Sequence, residues 1–211
     1  MYLPKMFEES DPAALAAFIR AHPLATLVST NADGLCADHI PMLLEAEAGA
    51  TVLRGHVARA NPLWRNLGPG AAALAIFHDA GGYITPSWYA TKAETGKVVP
   101  TWNYVAVHVE GTAGAVDDPQ WLRAFLVRLT AANESARVLP WALTDAPQDY
   151  IAAQLKAIVG IELRIKRMLG KWKMSQNRLP KDADGVLAGL EERGDPDSLR
   201  MAAEIARRRP R

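Results

Sequence analysis

The chain has 211 residues, the length of one domain or at most one and a half, which excludes two independent catalytic domains. With 49% hydrophobic and 22% charged residues, it has the composition of a globular protein and not of a disordered one. The 24 Lys and Arg stand against 23 Asp and Glu, so bulk charge gives no sign of nucleic-acid binding and any anion site must be local.

The single cysteine, Cys36, permits neither an intramolecular disulfide nor a cysteine-based zinc cage. The first residues lack the basic start and apolar stretch of a signal peptide, and no run of about 18 apolar residues is present. We therefore expect a cytoplasmic protein with no membrane partner.

The first third of the chain predicts one helix followed by strands. A helix opens at Asp11-Pro12, a capping residue followed by proline, and ends before His22. A hairpin of two strands, 24–30 and 35–45, and a third strand over 51–57 follow.

The middle of the chain continues this pattern. A short helix is predicted from Asn61-Pro62 through Leu67, and then a buried strand over 71–78. Alternating valines at 105, 107 and 109 predict a strand with one buried face, and Asp118-Pro119 begins a second long helix.

The last third predicts a third helix over 147–156 and a long strand over 159–166. Two short helical patterns separated by Gly194-Asp195-Pro196 follow from Lys181, and the chain ends in the basic stretch 207–211. Because strands occur in neighbouring runs without βαβ alternation, the fold class predicted is mainly β with peripheral helices (α+β), an antiparallel barrel.

Two weak motifs do not predict a site. Residues 68–73 match a G-x-G-x-x-A pattern, but a dinucleotide fingerprint needs a strand before it and a helix after it, and the order here is reversed. None of the five histidines is spaced for shared ligation on one element, so no metal site is predicted.

The segment 53–62 suits a phosphate. Arg54, His56, Arg59 and Asn61 lie at the end of a predicted strand and the start of a possible helix, where guanidinium groups and helix N–H groups bind anions. A solvated strand end with a capping asparagine explains the same residues equally well.

The segment 83–104 combines two Trp and three Tyr with prolines, hydroxyls and a lysine, in about 20 residues of weak periodicity. Aromatic faces with nearby donors suit a flat heteroaromatic ligand. A dimer interface is the alternative, because it is also rich in Trp and Tyr, and the two interpretations are compatible.

Four segments in order, 53–64, 83–89, 98–108 and 171–178, resemble the PaiB family of FMN-binding transcriptional regulators. The last of them is similar to that family's K-x-S-Q-N-R signature, and the opening residues 1–7 also match, so the resemblance runs over roughly 1–190. The turn 79–82 and the arginine-rich end depart from it.

The resemblance implies a split β-barrel of the flavin-reductase and pyridoxamine-phosphate-oxidase type, a homodimer with FMN between its subunits. It also implies one domain over 1–180 with a helical extension of that domain over 181–211. The residues implied as FMN contacts are, for the phosphate, Arg54, Arg59 and Asn61; facing the flavin, His56; along the ring and ribityl chain, Ser87, Trp88, Lys92, Thr101, Trp102 and Asn103; and closing the site, Lys173, Ser175, Gln176, Asn177 and Arg178, unless that turn is structural.

Three functions follow as hypotheses. The first is an FMN-binding homodimer that regulates transcription negatively, with DNA contact only through the basic end 207–211, which equally fits a solvated tail. The second is an FMN-dependent oxidoreductase of a small molecule. The third is a haem-binding or haem-degrading split barrel with His56 or His108 as axial ligand.

Overall fold

The structure is a computed structural model that describes residues 1–47, 49–68, 70–79 and 81–208. The helices within these ranges are α1 (Pro12–Ala21), α2 (Leu63–Asn66), α3 (Thr91–Thr95), α4 (Pro119–Glu134), α5 (Gln148–Lys156), α6 (Pro180–Arg193) and α7 (Pro196–Arg208). The strands are β1 (Glu8–Glu9), β2 (Leu24–Asn31), β3 (Gly34–Pro41), β4 (Leu43–Glu47), β5 (Ala50–Ala58), β6 (Ala71–His78), β7 (Gly82–Ile84), β8 (Thr101–Val116) and β9 (Ile158–Lys173).

Capping residues begin the helices where the sequence predicts them. The Asp11 carboxylate accepts the backbone N–H of Ala13 at the start of α1. At α4, Asp118 Oδ1 accepts the N–H groups of Gln120 and Trp121 at 2.7 and 3.3 Å. Each aspartate therefore satisfies backbone donors that a helix start leaves without partners.

The predicted strand 35–45 is wrong as a single element. It is two strands, because β3 ends at Pro41, opposite Leu24, and β4 begins at Leu43, opposite Arg54. Between them Met42 is 1% exposed and donates its N–H to the carbonyl of Pro23. Proline cannot donate to the ladder, so the chain changes strand partners at this point.

The segment 83–104 is more ordered than its weak periodicity indicates. It contains β7, a 3₁₀ turn at Pro86–Trp88, α3 and the first residues of β8. Elements of three to five residues are too short to show a hydrophobic period, so sequence patterning could not find them.

The G-x-G-x-x-A match at 68–73 stands between α2 and β6, so a helix precedes it and a strand follows it. This confirms that the order required of a dinucleotide fingerprint is missing here. Pro69, like Ala80 in the turn 79–82 and Arg209–Arg211 of the basic end, lies outside the described residues.

Two compact units make up the chain, and β8 and β9 contribute residues to both. The first unit is Met1–Phe18, His78–His108 and Leu169–Arg211, and the second unit is Ile19–Phe77 and Val109–Met168. The boundary predicted at 180/181 stays a prediction. No helix in the described ranges is long and apolar enough to cross a membrane.

The second unit is an antiparallel sheet with helices α2, α4 and α5. Strands in the order β3-β2-β6-β8-β9-β5-β4 contribute to it, and β5 pairs with β9 from Val52↔Arg164 to Ala58↔Ile158. Its core is made of fully buried apolar side chains, among them Leu27, Leu53, Phe77, Phe125 and Ile161. This sheet sets the position of the predicted phosphate segment at the end of β5.

The first unit combines short strand pairings with the two C-terminal helices. In it β1 pairs with β9 at Glu8↔Lys171, and β7 pairs with β8 from Gly82↔Asn103 to Ile84↔Thr101. Met201 and Ile205 of α7 are buried at 5% and 1% exposure. The helices predicted after Lys181 therefore carry part of this unit's core.

Candidate functional site

Arg54 is the first of the predicted phosphate ligands, and its guanidinium is surrounded by carboxylates. It donates to Glu162 at 2.8 and 2.9 Å, to Glu45 at 3.1 Å and to Glu47 at 2.6 Å, and its side chain is 10% exposed. Burial by itself lowers the pKa of Arg54, but the hydrogen bonds to the three glutamates raise it overall. Arg54 therefore neutralises a cluster of negative charge within the second unit.

Arg59, at the end of β5, is similarly engaged. Its two Nη atoms donate to both carboxylate oxygens of Asp117 at 2.6 and 2.8 Å, a bidentate pair. It also donates to the carbonyls of Lys156 and Ile158 at 2.7 and 3.0 Å, and its guanidinium lies 5.8 Å from the Trp64 ring centroid. The hydrogen bond to Asp117 raises the pKa of Arg59.

Asn61 and His56 complete the predicted phosphate segment. The Asn61 amide donates to Asp38 at 2.6 Å, and its oxygen accepts the N–H of Leu63 at 2.8 Å, which starts α2. His56 packs edge to face on Phe125 with ring centroids 6.0 Å apart, and burial lowers the pKa of His56. Its Nδ1 atom is buried and has no hydrogen-bond partner among the described residues.

The four residues are therefore brought together along one stretch of the second unit, but both of its arginines are already paired with carboxylates. Their assignment as phosphate ligands stays a prediction. In the first unit, a cluster of basic residues has no described carboxylate partner.

An aromatic and basic surface is formed by β7, β8 and β9 in the first unit. Trp102 is 58% exposed and Tyr83 45% exposed, and their rings meet edge to face with centroids 6.1 Å apart. Lys173 Nζ donates to Thr101 Oγ1 at 2.5 Å and to the carbonyl of Trp102 at 2.7 Å. Lys171 Nζ lies 5.3 Å from the ring centroid of Tyr104.

We call Tyr83, Trp102, Tyr104, Lys171 and Lys173 the aromatic-basic face. Burial lowers the pKa of Lys173, and the charges of Lys171 and Arg178 lower it further. In the part of the chain that the structure describes, none of these three cations has a carboxylate within salt-bridge distance. The face is therefore suited to a flat molecule that carries negative charge.

Ser87, Trp88 and Lys92 lie on the segment between β7 and α3. Lys92 Nζ donates to Ser87 Oγ at 3.1 Å. Trp88 packs against α6, where a Cβ built on Gly189 would lie 2.2 Å from its Cε2 atom and one on Gly185 1.8 Å from its carbonyl oxygen. Only glycine permits this approach, so α6 fixes the position of Trp88.

The turn after β9 joins the remaining predicted contacts. Asn103, fully buried, donates to Ser175 Oγ at 3.0 Å. Gln176 closes the turn on itself, accepting the N–H of Met174 at 2.6 Å and donating to the carbonyl of Trp172 at 2.6 Å. A structural role is thus established by contact for Gln176, beside any role toward a ligand.

Arg178 ends this turn with its guanidinium 4.5 Å from the ring centroid of Tyr89. It also lines a pocket of about 420 Å³, a volume that includes its open mouth. The other residues of the pocket wall are Met174, Ser175 and Gln176 of the turn, Pro180 and Ala183 at the start of α6, and Ile205 and Arg208 of α7.

Sequence reasoning omitted several members of these two sites. Lys171 lies two positions before Lys173 on β9, and Tyr104 lies two positions after Trp102 on β8. Residues two apart on a strand share a face, so the sequence spacing could have indicated both. Ile205 and Arg208 gave no such signal, because α7 reaches the pocket only through tertiary packing.

The antiparallel sheet with peripheral helices has the split β-barrel fold that the sequence resemblance implies. A solved FAD- and haem-binding protein from Mycobacterium smegmatis matches with a TM-score of 0.58, at 20% identity, over 86% of this chain and 80% of that one. At that identity the match establishes the fold alone.

The chain belongs to the family described as "Putative FMN-binding domain", whose model matches residues 1–167. It is 33% identical to an uncharacterized protein of Emericella nidulans, over 99% of this chain and 97% of that protein. It is 28% identical to protease synthase and sporulation protein PAI 2 of Bacillus subtilis, over 96% of this chain and 95% of that protein. The predicted membership of the PAI 2 group is thereby confirmed.

Proposed function

We propose that the protein binds FMN and that the aromatic-basic face holds its ring system. The observation that carries this proposal is the combination of exposed Trp102 and Tyr83 with half-buried Lys173, a cation with no described carboxylate partner. Lys171 lies beneath at 8% exposure and donates to the carbonyl of Tyr2. Such a surface offers aromatic contact to a flat ring and positive charge to an anion.

Each group on the face has a definite part in this proposal. Trp102 supplies a ring face or edge against the flavin, and Lys173, anchored by Thr101, presents an ammonium group to its oxygen atoms. FMN, when bound, supplies reversible hydride and electron transfer. The chain's own residues orient the ring and shield part of it from water.

The protein is proposed to work as a homodimer with the cofactor at the subunit interface. Trp102, Tyr83 and Val99, which is 65% exposed, form an apolar and aromatic region of the kind enriched in interfaces. A second copy laid on this region would cover both the aromatic side chains and a bound ring. Sedimentation of the FMN-loaded and FMN-free protein tests the dimer.

A regulatory use of the cofactor, negative and indirect, completes the proposal, in a cytoplasmic setting that agrees with the single cysteine. Its support is the similarity to PAI 2 over nearly the whole chain. The described cations of the basic end are already paired, Arg207 with Glu204 and Arg208 with Glu9 and Glu204. Arg207→Gln should therefore leave any salt-sensitive DNA band shift unchanged; loss of the shift would assign DNA contact to this basic end.

The decisive experiment on the cofactor is FMN titration of the purified chain, followed by quenching of flavin fluorescence. Trp102→Ala should weaken FMN binding by about tenfold, since stacking of a base-like ring on an aromatic side chain contributes roughly 1–3 kcal/mol. Trp141→Ala is the matched control, because Trp141 is also exposed, at 46%, but lies in the second unit.

The control should bind FMN as tightly as the unaltered protein. Equal FMN affinity in the unaltered protein and both variants would show that the flavin ring does not bind at the aromatic-basic face. An unaltered protein that binds no FMN would refute the proposed function itself.

A further inference from the structure

The pocket beside Arg178 is a second place at which the first unit concentrates polar groups. Its walls come from three elements: Ser175, Gln176 and Arg178 from the turn, the start of α6, and Ile205 and Arg208 from α7. Its lining combines the apolar residues Met174 and Ile205 with the two arginines Arg178 and Arg208.

The two arginines of the pocket differ in charge balance. Arg208 is paired with Glu9 at 2.9 Å and Glu204 at 3.4 Å, and it stacks 4.7 Å from the Trp172 ring centroid. Arg178 contacts the Tyr89 ring but forms no ion pair within the described ranges. Arg178 therefore brings an uncompensated positive charge to the pocket.

Asp182 of α6 forms no described ion pair with Arg178. It is 4% exposed and is used by Thr91, accepting its backbone N–H at 3.0 Å and its hydroxyl at 2.9 and 3.0 Å. Lys173 is near enough for the charge of Arg178 to contribute to the lowering of its pKa, after burial and the charge of Lys171.

The backbone of the turn adds donors. Ser175 has φ 63°, a left-handed conformation that is uncommon outside glycine. None of the hydrogen bonds formed among the described residues uses the backbone N–H groups of Ser175, Gln176 or Asn177. Backbone N–H groups that have no acceptor, placed in a tight turn beside a guanidinium, are hydrogen-bond donors of the kind that bind oxyanions.

The geometry points to an oxyanion site in this pocket that takes the terminal phosphate of a phosphorylated ligand, with Arg178 as its principal cation. The phosphate has two sources, FMN itself or a separate phosphorylated molecule. The first source deepens the proposed FMN binding and rests on it. The pocket would then do what was predicted for Arg54 and Arg59, whose charges are already paired.

Comparison of FMN with riboflavin, which lacks the phosphate, tests the first source. Arg178→Gln removes the charge and leaves a planar polar group on a shorter side chain. It should weaken FMN binding by about ten- to a hundredfold, the worth of one or two charged hydrogen bonds, and change riboflavin binding by less than about threefold. Arg178→Lys should recover part of the FMN affinity.

Inorganic phosphate tests the second source without any flavin. Phosphate, compared with chloride at equal ionic strength, should raise the Tm of the unaltered protein and of Arg200→Ala, but not that of Arg178→Gln. Arg200 is the matched control, since it is exposed on α7 and pairs with Asp197 outside the pocket wall.

Each combination of results decides the matter. A lost preference for FMN over riboflavin in Arg178→Gln supports the FMN phosphate, and lost phosphate stabilisation with unchanged flavin binding supports a separate phosphorylated ligand. No phosphate effect on the unaltered protein, together with an unchanged FMN-to-riboflavin ratio, overturns the site. If the unaltered protein binds no flavin, the proposed function fails and the phosphate measurement alone decides the pocket.

Discussion

The end of β5 in the second unit and the turn after β9 in the first unit carry similar numbers of basic residues and balance them in opposite ways. Arg54 meets three glutamates and Arg59 meets Asp117 in bidentate geometry. Lys173 and Arg178 meet hydroxyl, carbonyl and aromatic groups but no described carboxylate. The segment 53–62, which resembles a phosphate site more closely in sequence, is therefore the one whose arginines are already paired with carboxylates.

This difference separates stabilising from binding roles. A paired guanidinium lowers the free energy of the fold and offers little to an incoming anion, because binding would require the existing pair to break. An uncompensated cation costs stability in the empty protein and recovers that cost when an anion binds. The comparison thus predicts that the end of β5 contributes mainly to fold stability and the turn after β9 mainly to ligand affinity.

The largest effect is expected from Arg54→Met. It would leave Glu45 and Glu162, whose side chains are 15% and 13% exposed, with only their more exposed partners Arg128 and Arg164. Because each glutamate keeps one cation, we expect a cost of about 3 kcal/mol, the lower end of the range for breaking a buried pair, which urea unfolding will measure. Binding of FMN relative to riboflavin in the folded fraction should not change.

Arg137→Ala is the control for this variant, because Arg137 is 66% exposed and pairs only with Glu134 three residues away. Its loss should change the free energy of unfolding by less than about 0.5 kcal/mol. If the Arg54→Met protein is stable but has lost its preference for FMN over riboflavin, Arg54 binds the FMN phosphate. That result would contradict the different roles given to the two regions.

Gly189→Ala should have the next largest effect, within the first unit. The added Cβ would overlap the Trp88 indole, and overpacking costs about 1–3 kcal/mol, set against the roughly 1 kcal/mol that alanine gains over glycine in a helix. A lower Tm and blue-shifted or red-shifted tryptophan emission would reveal the displacement of Trp88. Gly114→Ala, with open space around its Cβ, should leave the emission unchanged.

Arg59→Ala is expected to destabilise the fold only slightly, because the Arg59 and Asp117 side chains are 35% and 49% exposed and water screens the pair. Its FMN affinity should equal that of the unaltered protein, since the guanidinium is committed to Asp117 and two carbonyls. Calorimetric titration with FMN checks this. A tenfold loss for FMN with unchanged riboflavin binding would instead establish Arg59 as a phosphate ligand.

Much of the fold is readable from sequence because its signals are local. Asp11-Pro12 and Asp118-Pro119 mark helix starts that the structure confirms, and the alternation at Val105, Val107 and Val109 marks the buried face of β8. The break at Met42 was missed because it depends on a change of strand partner, from β2 to β5, which no local pattern records.

The candidate site is less readable for a similar reason. The sequence shows that Arg54 and Lys173 are cations, but whether a cation is compensated depends on residues far along the chain, such as Glu162 opposite Arg54. Residue type and spacing therefore find where basic groups gather. Only the folded arrangement tells which of them keep an unpaired charge.

The smallest effects are expected from pH, and stability rises with pH in both regions, in the acid range through Asp117 and in the alkaline range through Lys173. Hydrogen bonding to Arg59 lowers the pKa of Asp117, so its contribution to stability is present above the ordinary Asp value of about 3.9 and is lost as the pH falls through the lowered pKa. Burial and neighbouring cations lower the pKa of Lys173, so the folded protein releases that proton first. Stability therefore rises with pH between the lowered pKa and the ordinary Lys value of about 10.4.

Urea unfolding at a series of pH values will separate the two contributions. Asp117→Asn should flatten the acid side of the stability profile, and Lys173→Met should flatten only the alkaline side. Saturating FMN should also flatten the alkaline rise in the unaltered protein, because a bound anion favours protonated Lys173 and raises its pKa again. If the free energy of unfolding of Lys173→Met still rises with pH in the alkaline range, another group titrates there. Lys173 would then not be the uncompensated cation of the first unit.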